Sequence, residues 1–439
     1  MFLEEIGIIP SRDKNPVRAE KSTSIVNLTR RGFVAGTGLF VVAVTLAGCS
    51  NTEPTIDAEN MKTPKAGPSP LTDVEGGDAT PALWIAIEKD GTTKITCHRS
   101  EMGQQVWTAM AQIIADELEA DWDTVEIVQA EGDERYGDQN TDGSRSVRYN
   151  FHRLRLAGAA MRQMLAAALY WKLEPSQCSA EMGKVSNSEN GDTLSYGNLA
   201  ELAAKLQVPA EADIVMKQPK DWRFINKEIP SLTVPLITKG EGTFGIDVDV
   251  PDMVYAVIAR PPQVFGRTGT VTDAKTLAVP GVMRTVKLPD AKPPALFQPL
   301  GGVAVVGVDT WAAIQGRNAL EIDWLNGPNA GYDSDNFRKA MEAKARQPGT
   351  VRRSRGNVGK ALAAADKNIT AEYYTPHLSQ SPMEPPAATA RWTGDKLECW
   401  ACVQDPQATR QTLSDLLDID KENITVHATW LGGAFGRKS

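Results

Sequence analysis

The chain has little cysteine and little histidine, with 5 Cys and 4 His among 439 residues. These numbers are too small for a scaffold held together by disulfides or for a protein with several zinc sites. Basic residues are also in deficit, because 47 Lys and Arg stand against 55 Asp and Glu and leave a formal net charge of -8. A general nucleic-acid binder is therefore not expected.

Long apolar runs are absent, apart from one near the N-terminus. Gly32 to Gly48 has no charged residue, but at 17 residues with four glycines it is short for a membrane-spanning helix, which needs about 20 apolar residues. It follows Arg30 and Arg31 and ends in Leu-Ala-Gly-Cys at Cys49. This pattern resembles a twin-arginine lipoprotein signal over residues 1–48. A non-cleaved apolar anchor is the alternative.

The predicted signal has consequences for location and content. We expect a periplasmic protein that is lipidated at Cys49 and anchored to the membrane through that lipid. The twin-arginine route carries proteins that are already folded, so a bulky cofactor assembled in the cytoplasm can travel inside its host. Residues 49–80, rich in Pro, Thr, Gly and Asp, are predicted to be a linker.

Helices and strands alternate irregularly after the linker, which predicts an α+β fold of several domains. Short strands are expected over Leu83–Ile87 and Thr93–Cys97. Apolar residues at helical spacing predict one helix after EMGQQ (Glu101–Gln105) and another after TDGSRS (Thr141–Ser146). A small-residue loop therefore opens a helix twice within about fifty residues.

The second half of the chain has a different pattern. Short strands and turns are expected over Val234–Trp324, followed by a polar, helix-rich segment. Asp405 and Pro406 predict an N-cap and the first residue of a helix. Further strands are predicted from near Ile369, over Gly302–Val308, over Leu397–Val403 and over Ile424–Trp430.

Two glycine-containing loops are candidate anion sites. GGAFGRK (Gly432–Lys438) offers backbone N–H groups next to two cations, Arg437 and Lys438, and such a loop suits phosphate or pyrophosphate. EMGQQ precedes a helix N-terminus, which attracts anions. Taken alone, each loop is equally compatible with an ordinary turn or a simple helix start.

Cys399 and Cys402 form a CxxC pattern that invites a metal or redox interpretation. Residues three apart on a strand point to opposite faces, so we do not expect both sulfurs at one ion or in one disulfide. The histidines share no ligand spacing and are predicted to be structural; they are His98, His152, His377 and His427. No protein metal ligand is predicted.

Six segments follow one another in a recognisable order. They are EMGQQVWTAMAQIIADELEADWDTVEI, GSRSVR, FGIDVDVPDMVYAVIARPP, GVAVVGVDTWAAIQGRNAL, SPMEPPAAT and LGGAFGRK. Their order resembles the molybdenum-binding subunits of the xanthine dehydrogenase and aldehyde oxidase family, in the exported branch similar to the isoquinoline 1-oxidoreductase beta subunit. The resemblance covers nearly all of residues 80–439 and implies the multi-domain architecture of a molybdenum hydroxylase large subunit.

The resemblance implies a role for each loop. Gln404 would approach an oxo ligand of the molybdenum. Residues that would bind the pterin dinucleotide or lie against it are Gly103, Gln104, Gln105, Gly143 and Ser144. Residues that would border the metal and its pterin are Gly433, Ala434, Phe435, Gly436 and Arg437. Gln105 and Ala434 stand where the family usually has glycine.

The resemblance also implies a domain order. Residues 81–215 would be a permuted cofactor-binding segment with the EMGQ loop, and residues 216–335 a mixed α/β, hammerhead-like domain. Residues 336–439 would begin the molybdenum-cofactor-binding domain. The family's glutamate base lies in a portion beyond Ser439, so we expect an incomplete architecture and no activity from this chain alone.

The implied function is that of a periplasmic molybdenum hydroxylase. It would oxidise aldehydes or N-heteroaromatic compounds with water as the oxygen source, using molybdenum with molybdopterin cytosine dinucleotide. The chain has no iron–sulfur cysteine pattern, so the implied partners are a small two-iron two-sulfur subunit and the missing C-terminal half, with a cytochrome c as a further candidate. A non-catalytic lipoprotein remnant or an assembly partner is the alternative function.

Overall fold

The computed structural model describes residues 81–166, 177–294 and 299–439, together with Trp171 and Leu173. The predicted signal, Cys49 and the whole linker lie outside the described residues. Among the residues that are described, no helix is long and apolar enough to cross a membrane. Helices and strands are mixed along the chain, which confirms the predicted α+β fold.

The described residues divide into two compact units. Asp249–Ser379 form one, and residues 81–248 with 380–439 form the other, called here the loop-bearing unit. Residues 216–248 belong to the loop-bearing unit because Lys217 Nζ lies 2.7 Å from the Asp116 carboxylate, which also accepts the N–H groups of Phe224 and Ile225. The division differs from the predicted domain boundaries at 215 and 335.

The N-terminal part of the loop-bearing unit is a three-stranded sheet with helices. Its elements are α1 (Pro81–Trp84), β1 (Ile85–Ile87), β2 (Thr93–Cys97), α2 (Val106–Leu118), β3 (Val125–Gln129) and α3 (Ser146–Leu165). Strand β2 pairs antiparallel with β1 and parallel with β3. Strand β2 and both helices predicted from periodicity in this region are confirmed, whereas the strand predicted over Leu83–Ile87 is confirmed only for Ile85–Ile87, because Leu83 and Trp84 belong to α1.

The core of this part lies between the sheet and the two long helices. Fully buried apolar side chains come from all of these elements and include Trp84, Ile95, Met110, Ile114, Leu118 and Leu154. Each contributes roughly 1.5–3 kcal/mol through burial. Helix α3 approaches α2 closely at Gly158, where a Cβ would lie 2.6 Å from the carbonyl oxygen of Ile114.

A small antiparallel sheet lies next in the chain. It contains β4 (Cys178–Glu181), β5 (Lys184–Asn187) and β6 (Thr193–Ser195), followed by α4 (Tyr196–Ala203) and α5 (Val234–Lys239). Tyr196 is fully buried, and its hydroxyl donates to the carbonyl of Leu118 at 2.5 Å. This hydrogen bond joins α4 to the end of α2.

The unit Asp249–Ser379 carries the mixed elements expected in the middle of the chain. They are β7 (Tyr255–Ala259), β8 (Arg267–Thr272), α6 (Ala274–Leu277), β9 (Val282–Leu288), β10 (Gly302–Gly307), α7 (Thr310–Ala319), β11 (Glu321–Leu325), α8 (Ser334–Ala345) and α9 (Val358–Ala364). Strand β10 is buried throughout and lies between β7 and β9, as its uninterrupted apolar run predicts. The strand predicted from near Ile369 is wrong: residues 365–387 have no regular structure, and Ile369 is 82% exposed.

The C-terminal part of the loop-bearing unit is a third three-stranded sheet. It consists of β12 (Ala388–Thr393), β13 (Lys396–Ala401), α10 (Pro406–Leu417) and β14 (Ile424–Ala428). Strand β13 pairs antiparallel with β12 and parallel with β14. The predicted start of α10 is confirmed, because the Asp405 carboxylate accepts the N–H of Ala408 at 2.9 Å.

Candidate functional site

Gln404 joins two of the predicted loops. It follows β13 and is 2% exposed. Its N–H donates to the Lys438 carbonyl at 2.7 Å, and its carbonyl accepts from the Thr141 N–H at 2.9 Å. The side chain contacts the same two residues, since Nε2 donates to the Thr141 carbonyl at 2.7 Å and Oε1 accepts from the Lys438 N–H at 3.3 Å. TDGSRS and GGAFGRK are thus both fixed to Gln404.

EMGQQ also lies next to TDGSRS and to the start of GGAFGRK. The N–H of Ser100 donates to Thr141 Oγ1 at 2.8 Å, and the carbonyl of Glu101 accepts from the Leu431 N–H at 3.0 Å. Glu101, Thr141, Gln404 and Lys438 are all buried. Three loops that are far apart in sequence therefore lie together in one unit, around Gln404.

The Gln404 carboxamide is largely occupied by protein contacts. A primary amide carries two N–H donors, and one of them donates to the Thr141 carbonyl. The second donor is the group that could serve the predicted role beside an oxo ligand. That role stays a prediction.

The N-terminus of α2 already holds a carboxylate. Glu101 accepts the N–H groups of Gly103 at 2.9 Å, Gln105 at 3.0 Å and Trp107 at 3.1 Å. A carboxylate at this position is stabilised by the helix dipole and uses the donors that an anion would need. Glu101 therefore takes one N–H group of the first turn, that of Trp107, and the anion-binding role of this loop stays a prediction; Glu101 is the residue that sequence reasoning missed.

The other residues of EMGQQ differ in how accessible they are to a ligand. Gln104 closes the loop on itself, because its side chain accepts from the Met102 N–H and donates to the Ser100 carbonyl. Gln105 has a left-handed backbone with φ of 64°, and its Oε1 accepts from Thr233 Oγ1 at 2.9 Å. Gly103 has open space on the side where a Cβ would stand. A ligand could therefore approach the backbone at Gly103.

The start of α3 is different from the start of α2. Gly143 and Ser144 are exposed and both have positive φ, at 55° and 57°. The N-cap residue, Arg145, makes no side-chain cap hydrogen bond, and it forms an ion pair with Asp138 at 3.1 Å instead. Because no side chain caps it, this helix N-terminus is the better candidate for an anionic ligand.

GGAFGRK contains a strained turn. Phe435 has φ of 53° and Gly436 has φ of 82°, and the Arg437 N–H donates to the Ala434 carbonyl at 2.8 Å, as in a type I′ turn. Left-handed backbone is unfavourable for phenylalanine, and such strain is concentrated at functional sites. The Phe435 ring is 70% exposed, whereas Ala434 is buried beneath the turn.

A buried ion pair supports this turn from within. Lys438 Nζ lies 2.7 Å from Glu384 Oε2, with the two side chains 1% and 5% exposed. Burial on its own raises the pKa of Glu384, but Lys438 and the N–H groups of Gly432 and Ile246 outweigh it and hold the pKa below its ordinary value. The sequence suggested Lys438 as a cation that balances the charge of an anionic ligand, and no local pattern links positions 384 and 438.

Cys399, Cys402 and His98 are buried, and Cys402 packs against Leu431 and Ala434 at the GGAFGRK loop. Cys399 and Cys402 are free and buried, and burial raises the pKa of Cys399 to about 11. Burial, together with Arg99 and Arg153, holds the pKa of His98 well below its usual value. Across the described part of the chain, no group of three or more His, Cys, Asp or Glu could hold a metal ion. A metal at this site would be held through its organic ligand.

Two family models match the chain, and both describe a molybdopterin cofactor-binding domain. One matches residues 342–439 and the other residues 55–233, so that together they cover more than half of the chain. The first segment contains Gln404 and GGAFGRK, and the second contains EMGQQ and TDGSRS.

Curated relatives extend over most of the chain. The beta subunit of isoquinoline 1-oxidoreductase from Brevundimonas diminuta is 28% identical, over 94% of this chain and 56% of its own. A membrane-bound aldehyde dehydrogenase of Gluconacetobacter polyoxogenes, whose name includes pyrroloquinoline quinone, is 30% identical. The match covers 82% of this chain and 47% of that relative. A nicotinate dehydrogenase subunit from Pseudomonas putida is 27% identical, and the match covers 81% of this chain and 30% of that relative. The chain thus spans about half, or less, of the length of these relatives.

Proposed function

This chain belongs to the xanthine dehydrogenase family of molybdenum-binding subunits, and we propose that it is part of a molybdenum hydroxylase that oxidises aldehydes or N-heteroaromatic compounds. One observation carries this proposal. Glu101 of EMGQQ and Thr141 of TDGSRS, from one matched segment, are hydrogen-bonded to residues of the other: Glu101 to Leu431, next to GGAFGRK, and Thr141 to Gln404. The two cofactor-binding segments therefore bring their loops to one place.

The residues of the three loops fit a large anionic pterin, and each loop would contact a different part of that cofactor. The uncapped start of α3, beside Gly143 and Ser144, would receive phosphate, because it offers backbone N–H groups and the positive end of a helix dipole. Arg437 is exposed and adds positive charge. Gly103 and Gly436 have open space where a side chain would stand, so a flat ring system could approach their backbone closely.

Gln404 and Phe435 would act at the metal end. When bound, the molybdenum cofactor supplies the transfer of a water-derived oxygen to a substrate carbon and accepts two electrons. The second Nε2 donor of Gln404 would hold a metal oxo group by a neutral hydrogen bond, where a carboxylate would be repelled. The exposed Phe435 ring would cover the pterin and exclude water from it.

The form of the cofactor, the location and the partners are parts of the same proposal. We propose molybdopterin cytosine dinucleotide as the cofactor, export by the twin-arginine route, lipidation at Cys49 and a periplasmic location. A small two-iron two-sulfur subunit would take the electrons, with a cytochrome c as a further acceptor. The remaining portion of the subunit would supply the base, so the 439-residue chain is expected to be inactive alone.

Coexpression tests the activity and the cofactor together. The chain would be produced with the remaining portion of its subunit and the small iron–sulfur subunit, and the complex analysed for metals and for the nucleotide released by acid. We expect molybdenum, cytidine monophosphate, and turnover of an aldehyde or N-heteroaromatic substrate with an artificial electron acceptor. Pyrroloquinoline quinone without molybdenum would overturn the proposal, and a complex with neither cofactor nor turnover would favour a non-catalytic role.

Mass spectrometry of a membrane fraction tests the export signal. A lipid-modified N-terminal peptide beginning at Cys49 is expected. Recovery of mature protein that begins at Met1 would contradict both the lipidation and the cleavage.

A further inference from the structure

One carboxylate is in contact with both ends of the GGAFGRK loop. Glu384 Oε2 accepts from Lys438 Nζ at 2.7 Å and from the Gly432 N–H at 2.9 Å, and Oε1 accepts from the Ile246 N–H at 3.1 Å. The Glu384 N–H also donates to the Gly432 carbonyl at 3.0 Å. The loop is thus held at its first residue and at its last residue by the same side chain.

The fit between Glu384 and Gly432 leaves no spare room. A Cβ at position 432 would lie 2.5 Å from Glu384 Cβ and 3.3 Å from its backbone nitrogen. Glycine is therefore required there by close approach, independently of any ligand. Glu384 lies in SPMEPPAAT. The contact between this segment and the loop is therefore fixed by the close approach of their backbones.

Lys438 passes this restraint on to Gln404. Its side chain is fixed by Glu384, and its own N–H and carbonyl form hydrogen bonds to the Gln404 Oε1 and N–H. Gln404 then reaches Thr141 through its Nε2. A continuous series of buried hydrogen bonds therefore runs from Glu384 to the carboxamide of Gln404.

We propose that Glu384 is a positioning residue that fixes the GGAFGRK loop through Lys438 and thereby sets the orientation of the Gln404 carboxamide. Glu384 is buried, and its carboxylate contacts Lys438, Gly432 and Ile246. The proposal rests on the proposed function only for its effect on turnover, because the orientation of Gln404 can be measured in the chain without cofactor.

The first experiment observes the side-chain amide of Gln404 by NMR in the full chain labelled with 15N-glutamine. In Glu384→Gln we expect this signal to shift or broaden, because the amide has one acceptor oxygen where the carboxylate uses two, and it carries no charge to pair with Lys438. Gln163 is the internal control, because its Nε2 donates to the Asp213 carbonyl at 3.0 Å and its Oε1 accepts from the Val215 N–H at 2.6 Å, and neither partner belongs to the three loops. Its signal should stay in place.

Matched variants separate positioning from loss of folding. Glu321→Gln removes an exposed partner of Lys275 and should leave the Gln404 signal unchanged. Lys438→Arg keeps a cation at Glu384 and should retain most of the wild-type signal. Should Glu384→Gln not fold, the double variant Glu384→Gln with Lys438→Met, which leaves no buried charge unpaired, is measured instead. It should show the same displaced Gln404 signal.

The second experiment measures turnover and molybdenum content of the coexpressed complex. Glu384→Gln should lower kcat by between about 10-fold and 100-fold while molybdenum content stays close to wild type, because small misplacement of a reacting group has effects of this size. A Gln404 signal that is unchanged in folded Glu384→Gln would overturn the proposal. Complexes without molybdenum would overturn the proposed function, whereas the NMR result would stand.

Discussion

The N-terminal sheet (β1–β3) and the C-terminal sheet (β12–β14) of the loop-bearing unit have the same strand order but very different burial. In each, the middle strand pairs antiparallel with the strand before it and parallel with the strand after the helix, as β2 does with β1 and β3, and β13 with β12 and β14. Eleven of the thirteen residues of α2 are buried, whereas in α10, all of which is described, Pro406 alone is buried.

The difference shows that strand order and burial are set by different parts of the chain. Helix α2 is covered by α3, which approaches it at Gly158, so this sheet has a large core of its own. The core beside α10 is small, and its buried members are Leu397, Cys399, Ala401, Ile424 and Val426. Leu416 of α10 is 70% exposed. We infer that the N-terminal sheet carries most of the stability of this unit.

The largest expected effect comes from removing a leucine from each helix. Leu118→Ala, at a position with no exposed surface in α2, should lower the free energy of unfolding by about 2–5 kcal/mol. Leu416→Ala, in α10, should change it by about 0.5 kcal/mol or less, since its side chain is mostly in solvent. Urea unfolding followed by tryptophan fluorescence measures both. Equal losses would show that α10 is covered as well as α2.

A glycine substitution tests the close approach of α2 and α3. The Cβ of Gly158→Ala would meet the Ile114 carbonyl oxygen at 2.6 Å and Glu117 Cβ at 2.9 Å, so we expect a loss of about 1–3 kcal/mol. Gly359→Ala is the matched control in exposed helix α9, where the nearest atom is an Asn357 side-chain oxygen at 3.6 Å. Alanine has a higher helix propensity than glycine, so Gly359→Ala should stabilise α9 slightly. A neutral result at Gly158 would mean that the helices can separate without loss.

Features that depend on residues close together in the sequence can be predicted from it, whereas features that depend on residues far apart cannot. Periodicity over a few turns predicts α2 and β2, and Asp405 with Pro406 predicts the start of α10. Ile369 lies in a segment with strand-like residues, but a strand also needs a partner, and no described strand pairs with it. The Glu384–Lys438 pair could not be predicted, because the two residues meet only after the whole unit folds.

The shared strand order of the two sheets was also hidden from the sequence. Their loops differ in length and residue type, so no internal repeat is detectable. At EMGQQ the glycine and the glutamines suggested anion binding, but the preceding Glu101 occupies the helix N-terminus. Glu101 lies four residues before the N-cap residue Gln105, so no local capping pattern in the sequence marks it.

The glutamines that follow the two middle strands should differ in their effect on turnover. Gln404→Ala should lower turnover of the coexpressed complex by about tenfold or more, equivalent to about 1.4 kcal/mol, because Gln404 is buried between Thr141 and Lys438. Its effect on molybdenum content should be smaller, since many other contacts would hold the dinucleotide. Gln104→Ala, at an exposed site, should alter turnover less. The reverse order would place the metal end at EMGQQ.

The smallest expected effect is a dependence of stability on pH at the start of α10. Burial, and to a lesser extent Asp138, raises the pKa of Asp405, although the Ala408 N–H and Arg99 act in the opposite direction. The folded chain therefore binds this proton more tightly than the unfolded chain does. Asp405 should lower stability as pH rises from the ordinary pKa of an aspartate through its raised value.

Asp405→Asn keeps the cap and removes this titration, because asparagine caps helices about as well as aspartate. Relative to the wild type, the variant should gain about 0.5 kcal/mol or less as pH rises through that range. The pKa of Glu384 is lowered, so its contribution has the opposite sign: it is present above the ordinary pKa of a glutamate and is lost as pH falls towards the lowered value. Urea unfolding from pH 3 to 7 should therefore give difference curves of opposite slope for Asp405→Asn and Glu384→Gln. Parallel curves would show that the two carboxylates, one at the start of α10 and one beneath GGAFGRK, do not differ in their surroundings as the structure describes.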